Sequence, residues 1–428
     1  MRWREDSAAE ALSALRGTPR LERLANGLTV CLVENRQAPI VTSALFYRAG
    51  TRDEPAGHGG VAHFLEHMMF KGSALYGPGE IDRRTQALGG VNNAFTSHDA
   101  TGYYFNFAAD RWTEALAIEA DRMTALTLDP EQVASERQVI LEEIAMYESE
   151  PWDALETEVQ ARLFPSHAYG RPVLGTREEL LATGPEDLAG FHGRFYRPAN
   201  AILVLAGDLG PDALDEVERV LGGLPAGAER RLGSEAPVPP SSLVRVERRK
   251  GEVARLMLSL PAPSGSHPDH PALKLLVTLL AGGRASRLHR ALVDEGQLCA
   301  WAAADVTESL DASQITVAAE VVPGIEPGRV EAEVLRLLEE AASAPPTAEE
   351  LERARQIATA DWVFGHEKVH QQALSAGLAL AVFDLEHLDR HLKLLLETDA
   401  GRVQEVAARY LRPERGGVLG WSLPREED

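Results

Sequence analysis

The chain has 428 residues, 44% of them apolar and 25% charged, the balance of a globular protein long enough for two domains with separate cores. A formal net charge of −22 excludes a nucleic-acid partner, whose phosphates need a basic surface, and no window approaches the roughly 18 consecutive apolar residues of a membrane span. Only two distant cysteines occur, Cys31 and Cys299, and the charged N-terminus lacks an apolar signal core, so a cytoplasmic protein is expected.

In chain order, MRWREDSAAEALSALRG predicts a short amphipathic helix, and Asn26-Gly27 between β-rich runs predicts a type I′ hairpin turn. Helices over 59–71 and 79–89 precede GGVNNAFTSHDATGYYFNFA, which reads as strand, turn and strand. Two long helices follow over 111–126 and 130–148, the second with Asp129 as N-cap and Pro130 in the first helical position. After the helical EDLAGFHGRFY comes an apolar strand, NAILVLAGDL. Residues 225–241 are rich in Gly, Pro and Ser and read as a linker between a domain over 1–224 and one over 242–428.

Beyond the linker the order recurs, with strands, an apolar helix over 271–281, another strand, and helices over 347–380 and 384–410. The expected fold class is α+β: two homologous α/β-roll domains from an internal duplication, each a mainly antiparallel sheet packed with helices. The helix over 271–281 then corresponds to that over 59–71 but has no His or Glu at its heart, which places the chemistry in the first half.

That chemistry centres on HFLEH, residues 63–67. On a helix, positions i, i+3 and i+4 share a face, so His63, Glu66 and His67 project together as two imidazoles and a carboxylate. A hydrolytic zinc ion takes three protein ligands, and a neighbouring glutamate can act as base. In the helix over 130–148, Ile140, Ile144 and Tyr147 define an inward face, with Glu136 and Glu143 on or beside it and Glu142 pointing away. Helix geometry alone reads Glu143 equally as the third ligand or as a residue flanking the core with its carboxylate turned outward. Glu136, one heptad earlier, is a candidate to orient a histidine. A second stretch, HEKVH at 366–370, carries His366, Glu367 and His370 in the zincin order, but no third ligand accompanies it. Exposed helical side chains account for it better.

GGVAHFLEHMMFKG resembles the active-site helix of the pitrilysin/insulinase-type zinc peptidases, the inverzincins with H-x-x-E-H. ERQVILEEI is similar to the family segment that supplies the third ligand and places Glu143 76 residues past His67, as the family does. LGGVNNAFTSHDATGYY, AYGRPVLGT and FYRPANAILVLAGD are also similar to family segments, so the likeness spans the chain. The resemblance implies one Zn²⁺ per chain held by His63, His67 and Glu143, with Glu66 as general base. It further implies a clamshell enclosing a chamber, and an edge strand on which Asn93, Ala94 and Phe95 pair with extended peptide.

The function so implied is zinc-dependent endopeptidase action on peptides or unfolded polypeptide segments; the rival is a non-catalytic scaffold subunit of a processing-peptidase-like complex. One departure bears on partners. Family members that complete the site themselves carry an arginine and, seven residues on, a tyrosine after a GG…SRL segment. Here Val293 or Asp294, and Ala300 or Trp301, stand in those places. The chain thus resembles the metal-bearing subunit of a heterodimer whose homologous partner lacks H-x-x-E-H and supplies Arg and Tyr, with a homodimer as the alternative.

Overall fold

The computed structural model describes residues 19–229 and 235–425, so the helix expected over 1–17 lies outside the described residues. The first half builds a six-stranded sheet from β1 (Arg20–Arg23), β2 (Thr29–Glu34), β3 (Ile40–Tyr47), β4 (Val91–Thr96), β5 (Thr101–Ala108) and β6 (Ala201–Gly207). The second builds a five-stranded sheet from β7 (Leu243–Arg249), β8 (Arg255–Pro263), β9 (Cys299–Val306), β10 (Ala312–Val321) and β11 (Gly417–Leu423). Their orders, β1-β2-β6-β3-β5-β4 and β7-β11-β8-β10-β9, coincide once β1 is set aside. Each has one parallel pair, β2 with β6 and β7 with β11, and is otherwise antiparallel. The duplication is therefore written in strand order, and β4, which bears the candidate substrate residues, is an edge.

Seven helices matter below: α1 (Val61–Met68), α2 (Pro130–Ser149), α3 (Pro151–Leu163), α4 (His270–Ala281), α5 (Ala348–Gly365), α6 (Val369–Val382) and α7 (Glu386–Glu397). The two halves exchange helices. From the second half, α6 lays Val369, Ala373, Ala376 and Leu380 on the first sheet against Phe46, Val204 and Ala206. From the first half, α3 lays Leu155, Val159 and Leu163 on the second sheet against Met257 and Val418. Covered on both faces, β6 reads as an unbroken apolar run, AILVLAG, all of it buried. Close approach explains two glycines: a Cβ on Gly377 of α6 would lie 2.0 Å from the Phe46 ring, and one on Gly420 of β11 would lie 2.6 Å from a Val159 methyl.

An ionic cluster ties the halves at the β9–β10 turn. Arg52 Nη2 lies 2.7 Å and His167 Nε2 3.2 Å from Asp311 Oδ2. Asp99 accepts from the Tyr169 hydroxyl at 2.7 Å and from Leu310 N at 3.0 Å. Since Asp311 is buried, its charge is tolerated because Arg52, His167 Nε2 and the backbone amide of Glu235 all meet it.

Three expectations are corrected here. The hairpin turn is not type I′: Gly27 N donates to Leu24 O, and Gly27 (φ +86°) is left-handed while Asn26 is not. The Asn26 side chain instead donates to Leu221 O at 2.7 Å and accepts from Leu28 N, which fixes a type I turn with a glycine bulge. The expected helix over 347–380 breaks after Gly365 and resumes at Val369. That over 384–410 breaks at Thr398, where Asp399 caps the next helix by accepting from Arg402 N.

Candidate metal centre

The path of α1 is set before its first turn. Gly59 and Gly60 pass so close to Leu174 and Gly175 that a Cβ on Gly60 (φ +85°) would fall 2.3 Å from Leu174 O. Glu54 Oε1 then accepts from Ala62 N at 3.0 Å and satisfies one of the orphan amides at the helix start. On α1, His63 and Glu66 are buried and His67 half-buried, and the rings of His63 and His67 lie 4.6 Å apart on one face, as i and i+4 spacing requires.

The second wall is α2, whose N-cap Asp129 accepts from Glu131 N and Gln132 N, with Pro130 following as expected. From it Glu143 Oε2 reaches 3.9 Å from His63 Nε2 and 3.7 Å from His67 Nε2. One ligand atom from each of the three residues lies within 4.8 Å of the others. The inward face differs from expectation at Tyr147, which is 42% exposed because it borders a cleft instead of the core. Glu136 is buried, 2.8 Å from His67 Nδ1 through Oε1 and 2.6 Å from Lys71 Nζ through Oε2.

Electrostatics fit a cation. Burial, with His67 adjacent, pushes His63 down to about 3, so it stands as the neutral imidazole a metal requires. Burial opposes charge on His67 too, but the hydrogen bond and charge of Glu136, joined by Glu66 and Glu143, carry it above its ordinary value. Burial raises the Glu143 carboxyl, and a metal between the imidazoles would reverse that by supplying the missing positive charge. Two imidazole nitrogens and one carboxylate are a donor set that zinc accepts in hydrolytic sites, and they fit it here.

Beside them Glu66 Oε2 accepts from the Thr96 hydroxyl at 2.5 Å, and burial holds its carboxyl above the usual range despite that bond. Sequence reasoning missed Thr96; its position at the end of β4, next to the edge-strand residues, is the only signal it offers. Ala94 and Phe95 border the same cleft, about 940 Å³ in volume, whereas Asn93 does not. The Asn93 side chain bends back to accept from Ala94 N. Across the cleft the second half supplies Arg248 and Lys250, also unforeseen. Arg248 is held by Ala154 O and Glu158, while Lys250 Nζ makes no ion pair among the described residues.

None of Val293, Asp294, Ala300 and Trp301 borders the cleft. Asp294 faces Arg284 and His289, and the Trp301 ring lies 5.0 Å from that of Trp152. HEKVH is not a helical motif at all, because residues 366–368 separate α5 from α6. The expectation of exposed side chains fails at His366, which is buried, stacked on Trp362 and bonded to Trp362 O and Ser375 Oγ. His370 packs against Tyr104.

Residues 29–177 match the insulinase family (peptidase family M16), and residues 184–358 match the M16 inactive domain. An uncharacterised zinc protease of Mycobacterium leprae is 32% identical over 333 residues, 75% of this chain and 72% of that protein. The crystal structure of a protease from Helicobacter pylori superposes with a TM-score of 0.90 at 25% identity, covering 95% of this chain and all of that one. The periplasmic protease PqqL of Escherichia coli shares the fold at 19% identity and TM-score 0.77, over 95% of this chain and 47% of its own.

The PqqL likeness corrects the cytoplasmic expectation, since this fold also serves a periplasmic enzyme. Scarce cysteines could not have decided the compartment: two large apolar cores need no disulfide whether the surroundings are oxidising or reducing.

Proposed function

The chain belongs to the insulinase family of peptidases, M16, and we propose that its zinc-dependent endopeptidase activity runs on His63, His67 and Glu143 as metal ligands and Glu66 as general base. The convergence of those three donors beside Glu66, on the wall of a cleft shared by both halves, carries this reading. The zinc supplies Lewis acidity toward a water molecule and the scissile carbonyl oxygen. Glu66 takes the proton of the attacking water and returns it to the departing amine nitrogen, so that the C–N bond breaks with both products neutralised. Burial raises the proton affinity that this needs, and Thr96 fixes the carboxylate through Oε2, leaving Oε1 without a partner among the described residues. Glu136 holds His67 in the tautomer that presents Nε2 to the metal.

Substrate lies along β4. As an edge strand paired only with β5, it offers its outer backbone groups around Asn93, Ala94 and Phe95 to an extended peptide, the Asn93 side chain giving up Ala94 N as the peptide pairs, and backbone pairing tolerates many sequences. A domain over 1–224 thus carries the metal, and one over 242–428, beyond the linker at 225–241, closes the cleft with Arg248 and Lys250. Because no arginine–tyrosine pair is present at 293–301, the working assembly is a heterodimer with a homologous chain that supplies it.

The reading is tested by Glu66→Gln. Zinc content stays at about one per chain while peptide cleavage falls on the order of 10²–10⁴-fold. Cleavage at the parental rate would remove Glu66 from the base role, and loss of zinc in His366→Ala instead of His63→Ala would move the site.

A further inference from the structure

The second half holds another convergence of metal-binding groups, remote in sequence from HFLEH. His270 opens α4, Glu308 sits in the turn between β9 and β10, and His391 lies on α7 four residues after His387. One ligand atom each from His270, Glu308 and His391 lies within 4.8 Å of the others, as in the first site.

The hydrogen-bond pattern leaves a lone pair in place on His270. His270 is 1% exposed, and its Nε2 donates to Thr307 O at 2.8 Å, so Nδ1 carries the lone pair. That Nδ1 is buried without a hydrogen-bond partner among the described residues. Leaving such an atom unsatisfied is costly, and a backbone carbonyl behind an imidazole is the usual support of a metal-bound histidine. His391 adds a second nitrogen: its buried Nδ1 stands 3.4 Å from Glu308 Oε1 and is not hydrogen-bonded among the described residues. A single carboxylate thus stands beside two imidazoles, each with a buried Nδ1 that lacks a hydrogen bond among the described residues. His387 Nε2, 2.6 Å from the same Glu308 oxygen, anchors that carboxylate, and its ring is stacked on Phe383. Glu308 is 42% exposed, so the cluster is open to solvent on the carboxylate side.

We propose that His270, Glu308 and His391 form a second divalent transition-metal site, for Zn²⁺ or a similar ion, weaker than the HFLEH site. It is weaker because His387 already engages the carboxylate and must yield part of it. Its role is structural. Two and three residues beyond Glu308, the turn reaches Leu310 and Asp311, which join the first half at Asp99 and Arg52. A metal here clamps α4 and α7 to the turn that couples the two halves.

The test uses the full-length chain. After purification wild type holds about one zinc, and with excess Co²⁺ in equilibrium dialysis it takes about two ions in all. In His63→Ala/His67→Ala, where the first site is disabled, Co²⁺ still binds and added Zn²⁺ still raises Tm. Adding either Glu308→Gln or His391→Gln abolishes both signals. Glu308 is 42% exposed, so its variant keeps the test valid should His391→Gln fail to fold. Binding of only one ion by wild type, no Tm response in the double variant, or a response that survives Glu308→Gln each overturns the proposal. None of these outcomes depends on peptidase activity, so the endopeptidase reading stands or falls separately.

Discussion

Glu136 Oε1 accepts from His67 Nδ1 at 2.8 Å, and the other oxygen of the same carboxylate holds Lys71 Nζ at 2.6 Å. Burial alone would raise this carboxyl, but the His67 and Lys71 contacts hold it below its ordinary value. Glu136 is therefore charged at neutral pH and makes His67 Nε2 a stronger donor. Glu136→Ala is expected to weaken zinc about 10–100-fold, while Glu136→Gln, which keeps an acceptor for Nδ1–H, loses less. Competition with a metal chelator measures both. Equal, parental affinity in the two variants would mean that Glu136 only anchors Lys71.

What could be read from the sequence, and what could not, follows from the range of each interaction. His63, Glu66 and His67 were legible because helical spacing fixes their common face within one turn, and Glu136 because it sits on the inward face of α2, whereas helix geometry left Glu143 open and the family spacing singled it out. Thr96 was not legible: nothing local to VNNAFT says that its last hydroxyl meets a carboxylate 30 residues earlier. The exchange of α3 and α6 was invisible for the same reason, since an apolar helix face does not name the sheet that covers it. Asn26 shows the opposite failure. A strong local turn signal was overruled when its side chain found Leu221 O, 195 residues away. His366 was misread because its partners, Trp362 and Ser375, matter only once the chain folds back between α5 and α6.

Glu54 gives stability a pH dependence that can be isolated. Burial pushes its carboxyl from an ordinary 4.5 up to about 8, despite the amide hydrogen bond from Ala62. A folded pKa above the unfolded one means the native state binds the extra proton. The contribution is therefore complete below about pH 4.5 and is lost as pH rises through about 8. Between those limits wild type should lose up to roughly 1.4 kcal/mol per pH unit relative to Glu54→Gln, which keeps the acceptor for Ala62 N but cannot ionise. Urea denaturation of both proteins from pH 5 to 8 checks this, and parallel curves would place the proton elsewhere.

Asp311 is the centre of the coupling between the halves. Asp311→Ala leaves Arg52 and His167 facing a buried gap, and breaking a buried ion pair costs about 3–5 kcal/mol. Because α3 and α6 still bridge the sheets, the two halves are expected to remain joined and to unfold at a lower denaturant concentration. Asp311→Asn keeps the acceptor for Glu235 N and should cost less. A midpoint unchanged in Asp311→Ala would show that Asp99 alone satisfies Arg52.

The composition of the cleft bears on whether the chain works alone. Its basic groups are Arg248 and Lys250, and Arg248 is already engaged by Glu158 and Ala154 O. Transition-state charge on the carbonyl oxygen calls for a donor beyond the metal, and loss of one such donor costs on the order of 10²–10³-fold in kcat. The purified chain is therefore expected to cleave a quenched peptide slowly, and a homologous chain carrying the arginine–tyrosine pair should restore about that factor. Native mass measured alongside activity separates the cases. Restoration that tracks a mixed species supports the heterodimer, whereas full activity in a homodimer or monomer would sink it and would direct attention to Lys250, whose replacement by alanine should then lower kcat.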